Sequence, residues 1–291
     1  MFSEYLDDSF RPVPKTGVIY VMSQAEKLGF RYSDPSWVNL GQGAPETGII
    51  DGQNSRLEDI PVNFENSEYS PVAGSVELRR QVAQLYNFRY RQHKTSQYSH
   101  RNVAISAGGR AGLTRIAAAL GNINLGHVLP DYTAYEELFE AFKSFVPIPI
   151  VAQESDGFKL SVDLLEKEVV SRGLGAILMS NPCNPTGNVI MGEELREFTA
   201  IARNTSCVQI FDEFYSHYIY KDNSCSVSAA EYVEDVNTDP IVLVDGLTKN
   251  WRYPGLRLSW TVGPESVIDK IASAGSFLFT LIINYLSIIC A

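Results

Sequence analysis

Lys249 occupies the position in the sequence that is best suited to covalent chemistry. It follows a short β-branched run, 240–244, that predicts a buried strand, and Gly246 marks a turn between the two. Partial burial disfavours an ammonium ion, so it lowers the lysine pKa and leaves the amine nucleophilic. Taken alone, a lysine after a turn is more often a simple surface residue, so its meaning depends on what the rest of the chain places beside it.

Glycines and arginines follow two of the predicted strands. Gly108, Gly109 and Arg110 come after a strand predicted at 102–106, and Arg257 comes eight residues after Lys249. Ligands of an open parallel sheet bind at the carboxyl ends of its strands, where glycines let backbone N–H groups approach an anion. A glycine turn is weak evidence by itself, but together with the arginines it could hold a phosphate.

Aromatic, amide and acidic residues follow the other predicted strands. Tyr132 could lie flat on a planar ring, although an aromatic residue there is more often part of the core. Asn184 lies in a stretch, 181–187, whose two Asn-Pro pairs and Thr-Gly predict a rigid turn. Asp212 ends an apolar strand, where a buried carboxylate needs a cationic partner, and Tyr215 follows it. A lysine, a carboxylate, an amide, a phenol and an anion site are the groups that pyridoxal phosphate requires.

Alternating strands and helices must position these residues. The pattern predicts an early helix at 18–28, a second at 76–91, and then strand–helix units, which indicate a three-layer α/β/α fold with a mostly parallel central sheet. The predicted strands are 102–106, 127–129, 147–151, 176–180, 208–211, 241–244 and 256–262, and the later helices are 111–120, 132–145, 162–171 and 192–204.

The motifs, in this order, resemble the class I/II aminotransferase family of fold-type-I pyridoxal-phosphate enzymes. The resemblance runs from Asn39 to Gly263 and rests on Asn-Pro-x-Asn-Pro-Thr-Gly, on Asp-x-x-Tyr from Asp212, and on Thr-Lys…Gly-x-Arg from Thr248. It implies an enzyme of the fold-type-I large-domain architecture that moves an amino group from an amino acid to a keto acid.

The resemblance also implies a role for each matched residue. Lys249 would bind pyridoxal 5'-phosphate as an aldimine and, once freed, act as the general base, while Asp212 would pair with the pyridinium nitrogen. Tyr215 and Asn184 would contact the phenolic oxygen of the ring. The remaining matches are Tyr132 on the ring face, Gly108, Gly109, Arg110, Thr248 and Arg257 around the phosphate, Gly43 and Asn184 near the substrate carboxylate, and Tyr69 reaching the neighbouring subunit of a homodimer.

Two departures from the family pattern modify these expectations. Gly246 stands where the family often has a serine or threonine on the phosphate, which leaves part of that contact to Arg110. The family also continues into a small domain with an arginine for the substrate carboxylate, so we expect that domain to be largely missing. The expected organisation is an N-terminal arm with a remnant of the small domain at 1–50, a cofactor-binding domain at 51–275 and an aberrant apolar tail at 276–291.

Two other functions share the same motifs. A β- or γ-eliminating lyase, such as an aminocyclopropane-carboxylate-synthase-like or C–S lyase, would need the same cofactor-binding residues. A catalytically impaired fragment could keep the cofactor fold without binding substrate. Product analysis separates these readings, because a transaminase forms a keto acid and pyridoxamine phosphate, whereas a lyase releases ammonia or a cyclised product.

Composition narrows the classes of partner. The net charge of −10 argues against nucleic acid, because phosphate backbones need a basic face. The four cysteines are scattered without ligand spacing, so we expect reduced thiols and no metal. The polar N-terminus does not resemble a signal peptide, and the apolar stretch 277–290 is too short for a membrane span. The expectation is therefore a cytoplasmic protein.

Overall fold

The computed structural model describes residues 13, 15, 17–52, 56–60, 64, 68–220 and 224–278. Its backbone contacts divide the chain into a unit of residues 1–44 and a unit of residues 45–291. The described part of the first unit contains one helix, α1 (Gly17–Lys27). The expected apolar tail falls mostly outside the described residues, and the two domain boundaries predicted from the sequence remain predictions.

The second unit is built on a seven-stranded sheet. The strands are β1 (Val103–Ser106), β2 (Asn124–Leu129), β3 (Val146–Val151), β4 (Leu174–Ser180), β5 (Val208–Asp212), β6 (Ile241–Gly246) and β7 (Ser259–Val262). Their order is β1-β7-β6-β5-β4-β2-β3, with β7 antiparallel to both neighbours and every other pair parallel. The predicted mostly parallel sheet is confirmed.

Helices cover both faces of this sheet. They are α2 (Val76–Tyr90), α3 (Gly109–Ala119), α4 (Ala134–Glu140), α5 (Val162–Arg172), α6 (Gly192–Thr205) and α7 (Glu265–Leu278). Alternate residues of one strand enter opposite cores: Ile241 and Leu243 of β6 pack with α2, α5 and α6, whereas Val242 and Val244 pack with α3, α4 and α7. Because strand side chains alternate between faces, this apolar run is buried on both sides, which gives the predicted three layers.

Three predicted elements differ from the structure by three residues or more at one end, and one of them is the strand predicted at 127–129, which spans Asn124–Leu129. The strand predicted at 256–262 begins at Ser259, because Pro254–Leu256 forms a 3₁₀ turn and Arg257 adopts a left-handed backbone with φ 53°. The helix predicted at 132–145 spans only Ala134–Glu140. The late start of β7 and the late start of α4 lie at the carboxyl side of the sheet, whereas the early end of α4 lies before β3, at the amino side.

The helix α7 was not predicted from the sequence. It packs on α3, and the guanidinium of Arg115 lies where a side chain on Gly275 would be, with Arg115 Nη2 1.9 Å from the ideal Cβ position. Arg115 is 1% exposed and donates to the carbonyls of Ile105 and Val72. A glycine is therefore needed at position 275, inside α7, because any side chain there would clash with the buried Arg115.

Candidate active site

Lys249 lies on the turn that follows β6. Its side chain is half-buried, and its Nζ atom is 5.4 Å from the centre of the Tyr215 ring, on the loop that follows β5. Burial lowers the pKa of the Lys249 amine, and the nearby Tyr132 phenol partly opposes that shift. The structure therefore brings together the lysine and both tyrosines, and it shows the partial desolvation that the sequence predicted.

The backbone around Lys249 is held by its neighbour Asn250. The Asn250 amide donates to the Asp245 carboxylate at 3.0 and 3.1 Å and to Ser216 Oγ at 2.9 Å, and it accepts from the His217 amide at 3.1 Å. Tyr218 adds a hydrogen bond of 3.1 Å from its hydroxyl to the Lys249 carbonyl. These contacts join the loop after β5 to the loop after β6, so they set Lys249 relative to Tyr215.

Gly246, the departure from the family pattern, is explained by strand β7. A Cβ at this position would lie 2.5 Å from the Leu258 carbonyl oxygen and 2.7 Å from Ser259 Cα. Real side chains do not approach backbone so closely, and a backbone atom cannot easily give way. The antiparallel neighbour therefore leaves no room for the serine or threonine that the family often has at this position.

Asp212 ends β5 as a buried carboxylate with neutral donors. Tyr135 donates to its Oδ2 at 2.7 Å and the Phe214 amide to its Oδ1 at 3.2 Å. Burial raises the pKa of Asp212 to about 6, and the hydrogen bond from Tyr135 limits the rise. The sequence predicted a cationic partner, whereas both donors in the structure are uncharged. A cationic ring nitrogen at this carboxylate would offset the cost of its burial.

The loop after β1 forms a small cradle. Gly108 has φ 92°, and a Cβ on it would lie 2.1 Å from Arg257 Nη2. A Cβ on Gly109 would lie 2.6 Å from the Phe214 ring. The glycines thus let backbone amides, an arginine and an aromatic ring meet closely, which suits an anion such as phosphate at the start of α3. Arg110 extends this region and donates to the Tyr132 hydroxyl at 3.1 Å.

Asn184 lies half-buried in the loop after β4. The Asn181 side chain closes this loop by exchanging hydrogen bonds with Ile190, at 2.8 and 2.9 Å. The backbone N–H of Asn184 donates to Ser180 Oγ at 3.0 Å. The Asn184 side chain therefore starts from a loop whose backbone is tied to the end of β4.

For three predicted residues the structure gives a position in the chain and an exposure, but no contact that defines a role. Thr248 is half-buried in the turn beside Lys249. Tyr69 is 76% exposed on the segment before α2, and Gly43 is exposed in the first unit. Their roles stay predictions.

Sequence reasoning missed several residues that hold the site together. Tyr135 binds Asp212, Asp131 and Ser180 join two loops, and Asn250 with Asp245 braces the lysine turn. The available signal was position alone, because each of these residues lies within five residues of a predicted site residue.

The architecture and the site together define a cofactor-binding α/β protein, and the comparisons with known proteins give its family. The family model "Aminotransferase class I and II" matches residues 35–288, so the chain belongs to the class I and II aminotransferases. Membership of this family implies pyridoxal phosphate as the cofactor.

The relatives are distant in sequence. A probable N-succinyldiaminopimelate aminotransferase of Mycobacterium tuberculosis is 28% identical over 247 residues, which cover 83% of this chain and 59% of that protein. A probable aspartate/prephenate aminotransferase of Aquifex aeolicus is 28% identical over 72% of this chain and 52% of its own length. The chain thus matches between about half and three fifths of these two proteins' lengths.

Solved structures share the fold. An aspartate aminotransferase from Thermotoga maritima superposes with a TM-score of 0.74 at 21% identity, covering 94% of this chain and 70% of that one. An aspartate aminotransferase from Thermus thermophilus, solved with maleate, gives 0.73 at 20% identity and covers 95% and 71%.

Two further observations concern the described residues. Among them, no helix is long and apolar enough to cross a membrane, and no group of histidine, cysteine or acidic residues is arranged to hold a metal ion.

The residues present fit the implied cofactor. The glycine cradle beside Arg257 suits its phosphate, the buried Asp212 carboxylate suits a protonated ring nitrogen, and the partly desolvated Lys249 amine suits its aldehyde.

Proposed function

We propose that the protein is a pyridoxal-phosphate-dependent aminotransferase that transfers the amino group of an amino acid to a keto acid. The observation that carries the proposal is the placement of Lys249 on the turn after β6 and of Asp212 at the end of the neighbouring strand β5. One residue supplies an amine of lowered pKa and the other a buried carboxylate.

Each residue has a task that follows from its surroundings. When bound, pyridoxal phosphate supplies an aldehyde for amine exchange and a protonated ring that withdraws electrons from the substrate α-carbon. Asp212 would keep the ring nitrogen protonated by holding a negative charge in a buried position. Lys249 would hold the cofactor at rest and then move the α-proton, a task for which a lowered amine pKa is favourable.

The other predicted residues would bind and orient. Tyr132 would cover one face of the ring, and Tyr215 and Asn184 would contact its phenolic oxygen. The phosphate would be held by Gly108, Gly109, Arg110, Thr248 and Arg257. The substrate carboxylate would be held by Gly43 and Asn184.

We also propose a cytoplasmic homodimer. The exposed position of Tyr69 supports the dimer, because the family resemblance gives this tyrosine a contact with the neighbouring subunit's phosphate. The three described cysteines, Cys183, Cys207 and Cys225, are free thiols, which supports a reducing compartment.

The test is the chemistry of one half-reaction. The purified chain is loaded with pyridoxal phosphate, supplied in turn with a panel of L-amino acids that includes aspartate, and analysed for keto acid and pyridoxamine phosphate by mass spectrometry. We expect both products in equal amounts from the wild type and from Lys270→Ala, whose lysine is exposed on α7, and neither from Lys249→Ala. Ammonia without pyridoxamine phosphate would instead show a lyase, and no product from any amino acid would contradict catalysis by this chain.

A further inference from the structure

Asp131 joins the loops that follow β2 and β4. Its Oδ1 accepts from the Tyr132 amide at 2.7 Å and from the Ser180 hydroxyl, and its Oδ2 accepts from the Ser180 amide at 2.9 Å. Tyr132 is the predicted ring-stacking residue, so the Asp131 carboxylate holds the backbone of one predicted cofactor contact.

Ser180 continues the connection to a second predicted contact. The Ser180 hydroxyl donates to Asp131 and accepts from the backbone N–H of Asn184 at 3.0 Å. One hydroxyl can donate once and accept in the same geometry, so the two hydrogen bonds are compatible. A continuous path therefore runs from Tyr132 through Asp131 and Ser180 to Asn184.

The hydrogen bonds between Asp131 and Ser180, called the bridge below, place a carboxyl group in a buried position. Burying an ionisable group costs free energy, which indicates that the bridge has a role beyond packing. Asp131 and Ser180 are each 6% exposed. Burial raises the pKa of Asp131 to about 7, with the negative charge of Asp212 adding to the rise and the three hydrogen bonds opposing it. All three partners of the carboxylate are donors, so these hydrogen bonds favour the ionised acid and leave no acceptor for the NH2 group of an amide.

A cavity lies beside these loops. Asp131, Ser180 and Cys183 line this cavity of about 390 Å³, which also borders the loop at 187–191. Side chains that face a cavity have room to relax when a hydrogen bond is removed. The bridge therefore links the two loops beside this cavity, together with a hydrogen bond of 3.6 Å from the Cys183 thiol to the Pro130 carbonyl.

We propose that Asp131 and Ser180 are positioning residues, which hold the Tyr132 ring and Asn184 in one arrangement toward the cofactor ring. Neither residue takes part in the reaction itself. Asp131 acts by holding Tyr132, and Ser180 acts by holding Asn184. The proposal rests on the proposed function, because it assumes that the cofactor binds between these two residues.

The experiment measures cofactor binding rather than turnover. Pyridoxal phosphate is titrated into the full apo chain, its Kd is read from absorbance, and the visible circular dichroism of the bound cofactor is recorded. The variants are Asp131→Asn, Ser180→Ala and the double variant. The matched control is Asp239→Asn, which changes a carboxylate of similar burial, 5% exposed, that binds Arg203 and the Glu234 amide just before the amino end of β6.

We expect each single variant to raise the Kd about ten-fold and to weaken the circular dichroism band, while the control leaves both unchanged. Because both residues form one bridge, the double variant should bind about as weakly as the weaker single variant. Multiplicative effects in the double variant, or wild-type Kd and dichroism in Ser180→Ala, would overturn the proposal.

Two controls keep the result interpretable. Thermal unfolding identifies a variant that fails to fold, and the milder Ser180→Ala then decides the question alone. A wild-type chain that binds no cofactor would contradict the proposed function, whereas a wild type that binds tightly beside unaffected variants contradicts only the bridge.

Discussion

Removing the Tyr135 hydroxyl tests the electrostatics of the proposed site in the absence of any ligand. Tyr135→Phe keeps the buried ring, which is 1% exposed, and deletes the 2.7 Å hydrogen bond to Asp212. At pH 5 Asp212 is mostly protonated, because its pKa is about 6, so the variant loses only a bond between neutral groups. At pH 8 Asp212 is ionised, and the variant loses a hydrogen bond to a buried charge.

The two losses differ in magnitude. A neutral hydrogen bond contributes about 0.5–1.5 kcal/mol and one to a charged group about 1.5–3 kcal/mol. The variant should therefore be less stable than the wild type by about 1 kcal/mol at pH 5 and by about 2 kcal/mol at pH 8. The same sign follows from linkage, because losing the donor raises the Asp212 pKa further, and a raised carboxylate pKa removes stability as pH rises through it.

Urea unfolding of the apo protein at both pH values measures these differences. Tyr253→Phe is the control, because the Tyr253 hydroxyl accepts from the Leu57 backbone amide at 2.8 Å rather than donating to a carboxylate. Its loss of stability should be similar at the two pH values. A Tyr135→Phe variant whose destabilisation is equal at both, or larger at pH 5, would refute the assignment of the charge to Asp212.

Two further predictions concern the whole fold and the glycine cradle. The free energy of unfolding of the apo protein should fall as pH rises from about 4 to about 8, by on the order of 1 kcal/mol or more per acid, because Asp131, Asp212 and Glu213 keep their protons in the folded state at pH values where they are ionised in the unfolded state. Burial raises the pKa of Asp245 in the same direction, and together the acids outweigh His217, whose pKa burial lowers to about 4 and whose contribution has the opposite sign. A melting temperature that is flat or rises over this range would argue against it. Burial raises the pKa of these acids to about 7 for Asp131, about 6 for Asp212 and about 8 for Glu213. Gly108→Ala should weaken pyridoxal phosphate binding and destabilise the fold by about 1–3 kcal/mol, because it combines a positive φ with a clash against Arg257. Gly187→Ala, with φ 74° and open space around its Cβ, should show only the backbone cost in a parallel unfolding and titration experiment, and equal effects of the two substitutions would refute the cradle.

The sheet and most helices were predictable because their signals are local. The β-branched run at 241–244 is buried on both faces, and the helices at 76–90 and 162–172 begin at Ser75 and Ser161, whose side chains accept from the third following amide. Alternating apolar periods and such caps act within a few residues, so the sequence displays them directly.

The contacts that complete the candidate site were not predictable, because they join distant positions. Nothing near Asp212 indicates that Tyr135, 77 residues away in sequence, donates to it, and nothing near Gly246 indicates that Leu258 leaves no room for a side chain. The same holds for helix α7, whose Gly275 is required by Arg115 on α3. Such pairs are set by tertiary packing, which one sequence without its fold does not reveal.

The most direct test of the central claim is where the cofactor becomes attached. The chain is incubated with pyridoxal phosphate, reduced with borohydride, digested and mapped by mass spectrometry. We expect the adduct on Lys249, the lysine that is half-buried beside Tyr215, and loss of the adduct in Lys249→Ala but not in Lys270→Ala. An adduct on any other lysine, or retention of the label in Lys249→Ala, would contradict the assignment of Lys249 as the residue that carries the cofactor.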